Sequence, residues 1–294
     1  MKISGNTNSN FEICKWRNIT AIKKSADGAA GNRLLIQAEK QQHGMCHDNV
    51  EPVSVFEVIK NDKSTTIVMP YISSGTFIDF AERSSVMDIN DFATNMISFI
   101  KAETNNDLNK EEHFVNAVPL MKQKLDDLRK KFSKYVSENG VSIFVYKWYW
   151  LFDKTNEILD KLGDIRLKTG ICHGDLTLSN VLFSGSTYYL IDYLDSYIES
   201  PVMDVIKLRQ DTLHKWILLK TNDDYDSMYI NIVLDYLDKR IQEEFSNCDW
   251  YKHYNILAAI NMFRILPYSL KNGITSNDVT YLYNEITKLI NAYE

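Results

Sequence analysis

Eleven glycines, five prolines and four cysteines are all that this chain of 294 residues holds of the types that punctuate, stiffen or staple a fold. So little Gly and Pro argues against linkers and low-complexity segments, and 45% hydrophobic residues suffice for a sizeable core. The length fits two domains, or one enzyme of two lobes around a cleft. Cys14, Cys46, Cys172 and Cys248 are widely scattered and form no CxxC pair, so neither a disulfide framework nor a zinc knuckle is expected, and they read as reduced thiols. His43, Cys46 and His47 in HGMCH have metal-compatible side chains but no obvious fourth partner, and read as a polar loop after a helix.

An excess of positive charge is also missing. Lys and Arg number 33 against 39 Asp and Glu, a net charge of −6, which disfavours non-specific binding to nucleic acid or to an anionic membrane. No apolar run approaches the roughly 20 residues that span a bilayer, and MKISGNTNSN lacks the apolar centre of a signal peptide. The expectation is a cytoplasmic protein with no nucleic-acid partner and no membrane insertion, whose phosphate ligands, if any, sit in a local pocket.

The first seventy residues are rich in short β-type runs. FEICKW and ITAIKKS flank a tight Arg17-Asn18 turn, and VSVFEVI and TTIVMPY flank NDKS; between these pairs, RLLIQAEKQQ has Leu34, Leu35 and Ala38 at helical spacing. With a strand ahead of the turn-forming GNTNSN, the expected order is β-β-β-α-β-β. Beyond Tyr71 long helices take over: TFIDFAER, then DINDFATNMISFIKAE with Asp88 as N-cap, then stretches near 112–138 and 141–162. Three more helices are expected near 226–245, 250–265 and 276–292, after a hairpin formed by VLF and YYLI around Ser184-Gly185-Ser186-Thr187. The fold class is α+β: a small antiparallel-sheet lobe, 1–72, and a mostly helical lobe, 73–294.

The segment that carries chemistry is HGDLTLSNVLFSGSTYYLID. A hairpin between Asn180 and Asp192 brings its ends together, so an amide oxygen and a carboxylate can share one hard cation, with Asp175 one loop away. Phosphoryl transfer asks for little more: a carboxylate for the acceptor hydroxyl, metal ligands, and a cation to position phosphates. Here the chain resembles the aminoglycoside phosphotransferase and choline kinase superfamily, whose catalytic loop reads HGDxxxxN and whose metal-binding Asp follows a hairpin. The resemblance implies a two-lobed protein-kinase-like fold that uses ATP and Mg²⁺ to phosphorylate a hydroxyl of a small molecule. It makes Asp175 the catalytic base, puts Asn180 and Asp192 on the metal, leaves His173 bracing the loop without a chemical step, and gives Asp204 a structural role.

The same resemblance assigns the nucleotide site. Ala21-Ile22-Lys23 is similar to the kinase strand whose lysine steadies the α- and β-phosphates; strand alternation lets only one of Lys23 and Lys24 face the cleft, and Lys23 is favoured. Glu39, sixteen residues on, would orient that lysine, with Gln37 as a substitute. Met69 would gate the cleft and Pro70, Tyr71 and Ile72 would line the adenine edge. Gly5-Asn6-Thr7-Asn8-Ser9 is either a phosphate-covering turn or a plain hairpin. Asp195 and Glu199 are candidates for the acceptor side. DYLDSYIESP resembles phosphotransferases of bacterial surface-polysaccharide clusters, which implies a sugar-like acceptor; an aminoglycoside, choline or ethanolamine is the alternative, and a catalytically silent nucleotide-binding scaffold is the reading from another class. DFG and APE, which mark protein-directed kinases, are absent.

Overall fold

A computed structural model describes residues 9–105, 113–221 and 224–293. Strands β1 (Asn10–Trp16) and β2 (Ile19–Asp27) form a hairpin whose two loop residues, Arg17 and Asn18, have φ of 45° and 68°. Positive φ at both positions is the primed turn that matches the twist of paired strands. Helix α1 (Gly28–Gln42) follows directly, then β3 (Val50–Pro52), β4 (Glu57–Lys60) and β5 (Ser64–Pro70). The antiparallel sheet runs β1-β2-β5-β4. The strand expected before β1, and residues 5–8 of the phosphate-covering turn, lie outside the described residues.

α1 packs on β2 and β5 through Leu34 and Ala38, which share a small apolar cluster with Ala26, Ile67 and Met69. β3 takes a different partner from its neighbours in sequence. It pairs in parallel with a strand of the later hairpin, Val50 opposite Tyr188 and Pro52 opposite Leu190, which ties the early residues to the later ones through main-chain bonds.

The helical part opens with α2 (Phe77–Arg83) and α3 (Val86–Asn105), each started by a capping box, Thr76 with Asp79 and Ser85 with Asp88. Asp88 is therefore not an N-cap: its carboxylate reaches back to the Ser85 N–H, and the Ser85 hydroxyl does the capping. β6 (Phe114–Asn116) leads into α4 (Ala117–Asn139), α5 (Ile143–Lys161) and β7 (Arg166–Lys168), which pairs with β6. The hairpin is β8 (Val181–Ser184) and β9 (Thr187–Leu190). α6 (Pro201–Thr212), α7 (Ser227–Phe245), α8 (Tyr254–Phe263), the single turn α9 (Leu266–Ser269) and α10 (Asn277–Asn291) complete the chain.

Two apolar clusters fill the helical part. One gathers α4, α5, α8 and α10 around Trp148, Phe152 and Phe263; the other gathers α2, α3, α7 and the hairpin around Phe77, Phe92 and Tyr188. α6 lies between them, with every one of its twelve residues buried, including Asp204, Lys207, Arg209 and Asp211. Burial of so many charged side chains on one helix demands partners for each. Their partners define the site.

Candidate active site

The loop between Gly170 and Val181 is anchored from below by α6. Asp204 accepts the N–H groups of His173 and Gly174 at 2.6 and 2.8 Å, and Asp211 accepts that of Leu178 at 2.8 Å. Burial pushes both carboxyls up to about 7 against the pull of those donors. Gly174 has φ of 82°, and a Cβ there would lie 1.9 Å from the Leu194 carbonyl oxygen, so the HGD glycine is required by the close approach of the following segment.

His173 is fully buried. Its Nε2–H donates to the Ile191 carbonyl at 2.8 Å and its Nδ1 accepts the Asp175 N–H at 3.2 Å, which fixes the neutral tautomer because a carbonyl can only accept and an amide N–H can only donate. Burial lowers its pKa to about 4. Both ring nitrogens are engaged, which leaves it no proton free to exchange.

Asp175 emerges half-buried at the top of this loop. The Lys207 ammonium lies 2.9 Å from its Oδ1, and Asn180 Nδ2 donates to its carbonyl at 2.8 Å and to Oδ2 at 3.3 Å. Burial alone would raise the Asp175 pKa, but Lys207, with help from Arg264, holds it below the usual carboxylate value. Lys207 was not singled out from the sequence. The signal lay in α6: three residues after Asp204, it shares the helix face that looks at the loop.

Asn180 and Asp192 meet as the hairpin spacing requires. Val181 pairs with Leu190, and one step outward the Ile191 N–H donates to the Asn180 carbonyl at 3.1 Å. Asp192 follows in the left-handed region, φ 61°, a conformation Asp tolerates better than most residues. Since Asn180 donates with Nδ2, its Oδ1 is the atom left to face a cation.

Of the two lysines it is Lys24, not the favoured Lys23, that the structure brings to Asp192. Lys24 is 2% exposed and its Nζ lies 2.6 Å from Asp192 Oδ1, whereas Lys23, its neighbour on β2, points to the other face and is half-exposed. The alternation argument was sound, but which face looks into the cleft is set by the pairing of β2 between β1 and β5. Glu39 falls with Lys23. It is exposed and makes no ion pair among the described residues, and Gln37 does not replace it in any hydrogen bond. The interval counted from Lys24 instead lands on Lys40, whose Nζ lies 2.6 Å from the Leu194 carbonyl and 2.7 Å from Glu199 Oε2.

Both Glu199 oxygens are thus engaged, Oε2 by Lys40 and Oε1 by the Ser196 N–H. Asp195 is exposed. Along the other edge, Met69 is buried at the end of β5 and takes Gln41 Nε2 at 3.4 Å; the Tyr71 N–H donates to the Thr20 carbonyl at 3.0 Å, and Ile72 joins the small apolar cluster. His43, Cys46 and His47 do not converge: His47 Nε2 meets Ser98 Oγ at 2.8 Å, and no group of three or more His, Cys, Asp or Glu that could hold a metal occurs among the described residues.

Residues 125–238, which contain Asp175, Asn180, Asp192 and Lys207, match the family model of the phosphotransferase enzyme family. No curated protein sequence matches the chain. Solved structures match over nearly its whole length: an apo thermostable mutant of aminoglycoside phosphotransferase APH(4)-Ia, 11% identical, with a TM-score of 0.67 over 99% of this chain and 94% of that one. ADP-bound aminoglycoside phosphotransferase APH(2'')-Ib is 14% identical, with a TM-score of 0.55 over 98% and 90%. A putative fructosamine-3-kinase from Haemophilus somnus is 9% identical, with a TM-score of 0.59 over 98% and 90%. The matched segment holds the HGD-to-Asp hairpin, and the fold of nearly the whole chain is that of the aminoglycoside phosphotransferases.

Proposed function

We propose that this chain transfers the γ-phosphoryl group of ATP, with Mg²⁺, to a hydroxyl of a small, sugar-like molecule. The observation that carries the reading is the meeting of Asp175, Asn180 and Asp192 with two buried lysines, Lys24 and Lys207, at the open end of one hairpin. Five groups of these types at one point match the short list of parts that phosphoryl transfer uses. The nucleotide lies under the early sheet, 1–72, and the acceptor against the helical lobe, 73–294.

Asp175, ionised at neutral pH, takes a hydrogen bond from the acceptor hydroxyl and orients it. The hydroxyl oxygen bonds to the γ-phosphorus as the bond to the bridging oxygen breaks, ADP leaves with that electron pair, and Asp175 receives the proton. Because Lys207 holds its pKa down, Asp175 accepts that proton late and acts chiefly by position. Lys207 also offers positive charge beside the moving phosphoryl group, and Lys24 is placed for the α- and β-phosphates. Asp192 and Asn180 Oδ1 are hard oxygen donors of the kind Mg²⁺ takes and would hold it, where the ion offsets phosphate charge. At the adenine edge Pro70 has no N–H and that of Tyr71 is engaged, which leaves Ile72 N–H as the backbone donor.

The test is ADP release over a panel of sugars, polyols, aminoglycosides and choline, beside a thermal-shift titration with ATP and Mg²⁺. Ligands that bind only the folded state raise its melting temperature by mass action. Nucleotide binding without turnover for any acceptor would return the protein to the silent-scaffold reading, and no ATP binding would end the proposal.

A further inference from the structure

The chain is acidic overall, but the charges beside Asp175 are positive. Arg264, at the C-terminal end of α8, acts electrostatically on Asp175, on Lys207 and on Lys124 of α4. The Tyr197 ring lies among them, 5.4 Å from the Arg264 guanidinium carbon and 5.9 Å from Lys124 Nζ. Arg33 of α1, exposed on the other side of the cleft, adds to the field on Lys124, and burial together with Arg264 lowers the Lys124 pKa. Arg264 and Lys124 thus flank one aromatic ring, and the field of Arg264 reaches Lys207 and Asp175.

The polar atoms left without partners around the Tyr197 ring include two that can donate, beside Ser196 Oγ and the Asn261 amide oxygen on the neighbouring turn. Arg264 Nη1 and the Tyr197 hydroxyl are each buried with no hydrogen bond, and among the described residues Arg264 is the sole charge acting on that hydroxyl. Buried donors without acceptors are costly, so a site that leaves several together is completed by an acceptor-rich group. Glu199 is committed to Lys40 and Asp175 to Lys207, and Asp127, which acts on Lys124, counts for less there than burial and Arg264 do. A cationic acceptor such as an aminoglycoside or choline would meet like charge on entry, whereas an oxyanion would meet a guanidinium, an ammonium and a phenol.

We infer that the acceptor carries an oxyanion, a carboxylate or a phosphate monoester, which docks between Arg264 and Lys124 against the Tyr197 hydroxyl while the acceptor's own hydroxyl faces Asp175. This rests on the phosphotransferase reading and narrows its substrate to an anionic sugar or polyol. Arg264 and Lys124 are then specificity-determining residues that hold the acceptor, not the nucleotide.

The experiment measures ADP release with glucose, glucosamine, glucuronate and glucose 6-phosphate, and acceptor and ATP binding by calorimetry, for wild type and for Arg264→Gln, Lys124→Gln and Arg264→Lys. Wild type should favour the anionic acceptors by at least ~10-fold in kcat/KM, with glucuronate against glucose 6-phosphate separating carboxylate from phosphate. Arg264→Gln and Lys124→Gln should each raise KM for the preferred anion ~10-fold or more, leave kcat within a few-fold and ATP binding unchanged, and Arg264→Lys should recover most of the loss. Equal or better use of glucose or glucosamine overturns the inference while leaving the kinase reading intact. So does a loss in Arg264→Gln that falls on kcat for all acceptors alike or on ATP affinity, because that marks a structural or nucleotide role. If the kinase reading fails, calorimetry still decides: anion binding lost in Arg264→Gln supports the site, and no anion binding to wild type refutes it.

Discussion

Asp175 and Asp192 carry the same functional group, each paired with a buried lysine, but the proposal gives them different tasks, and their substitutions should separate cleanly. On the proposed roles, Asp175→Asn removes the group that orients the acceptor but leaves Asn180, Asp192 and Lys24 in place, so turnover should fall by roughly 10²-fold or more while ATP binding stays near normal. Asp192→Asn should instead weaken Mg²⁺-dependent ATP binding, because a neutral amide is a poorer ligand for a hard dication and no longer positions Lys24. Calorimetry with and without Mg²⁺, beside turnover, tests both; an active Asp175→Asn or a tightly binding Asp192→Asn overturns the roles. The lysine pair gives a sharper contrast. Lys24→Met should abolish turnover through ATP affinity, and Lys23→Met, on the opposite strand face, should leave kinetics within a few-fold. What sequence could and could not say is visible in this pair: alternation guarantees that only one lysine enters the cleft, but the choice depends on where the sheet presents its inner face, which is a tertiary fact. Lys207 was hidden for the same reason, since a lysine in a helix reads as solvated until the helix is known to be buried.

At the scale of elements, α6 and the catalytic loop form one unit held by buried acceptors. Asp204→Ala would strand the N–H groups of His173 and Gly174, at ~1–3 kcal/mol for each unpaired buried group, so about 2–6 kcal/mol of stability should be lost in urea melts, with turnover; Asp204→Asn, which keeps one acceptor oxygen, should lose less. His173 adds a pH signature. Its folded pKa of about 4 lies below the ordinary value of 6.5, so its contribution is present above pH 6.5 and is lost as pH falls toward 4, amounting to about 2 kcal/mol at pH 5. Asp204 and Asp211, raised from 3.8 to about 7, act in the opposite sense over the same window, because the folded state then binds the extra protons. The effect is therefore read as a difference: between pH 7.5 and 5, His173→Gln should lose less stability than wild type, whatever its starting stability, and equal losses would refute the assignment. The hairpin and long helices were legible because their signals are local, in strand alternation and apolar stripes. β3 was not: three residues long, it is a strand only because β9 lies beside it.

Across the whole molecule, the division into a sheet lobe and a helical lobe conceals how many bonds cross it. β3 pairs with β9, Lys24 reaches Asp192, and Lys40 of α1 bridges to Leu194 and Glu199, so the early residues are held to the catalytic segment by main-chain bonds and by two lysines. A sheet of four short strands with one helix has a small apolar cluster of its own, whereas the helical part has two large ones. A sheet so small gains little by folding alone, and its stability is drawn from the surface it shares with the rest. Unfolding should accordingly be one cooperative event: calorimetry should give a single transition with calorimetric and van't Hoff enthalpies that agree. Lys40→Met should lower the melting temperature by a few degrees without splitting the transition, since the β3–β9 pairing remains, and should reduce turnover more than ATP binding because the Leu194 segment it holds closes over Gly174. Two resolved transitions in wild type, the lower one shifted by ATP alone, would instead mean that the sheet folds as an independent unit and that these crossing bonds form only when nucleotide closes the cleft.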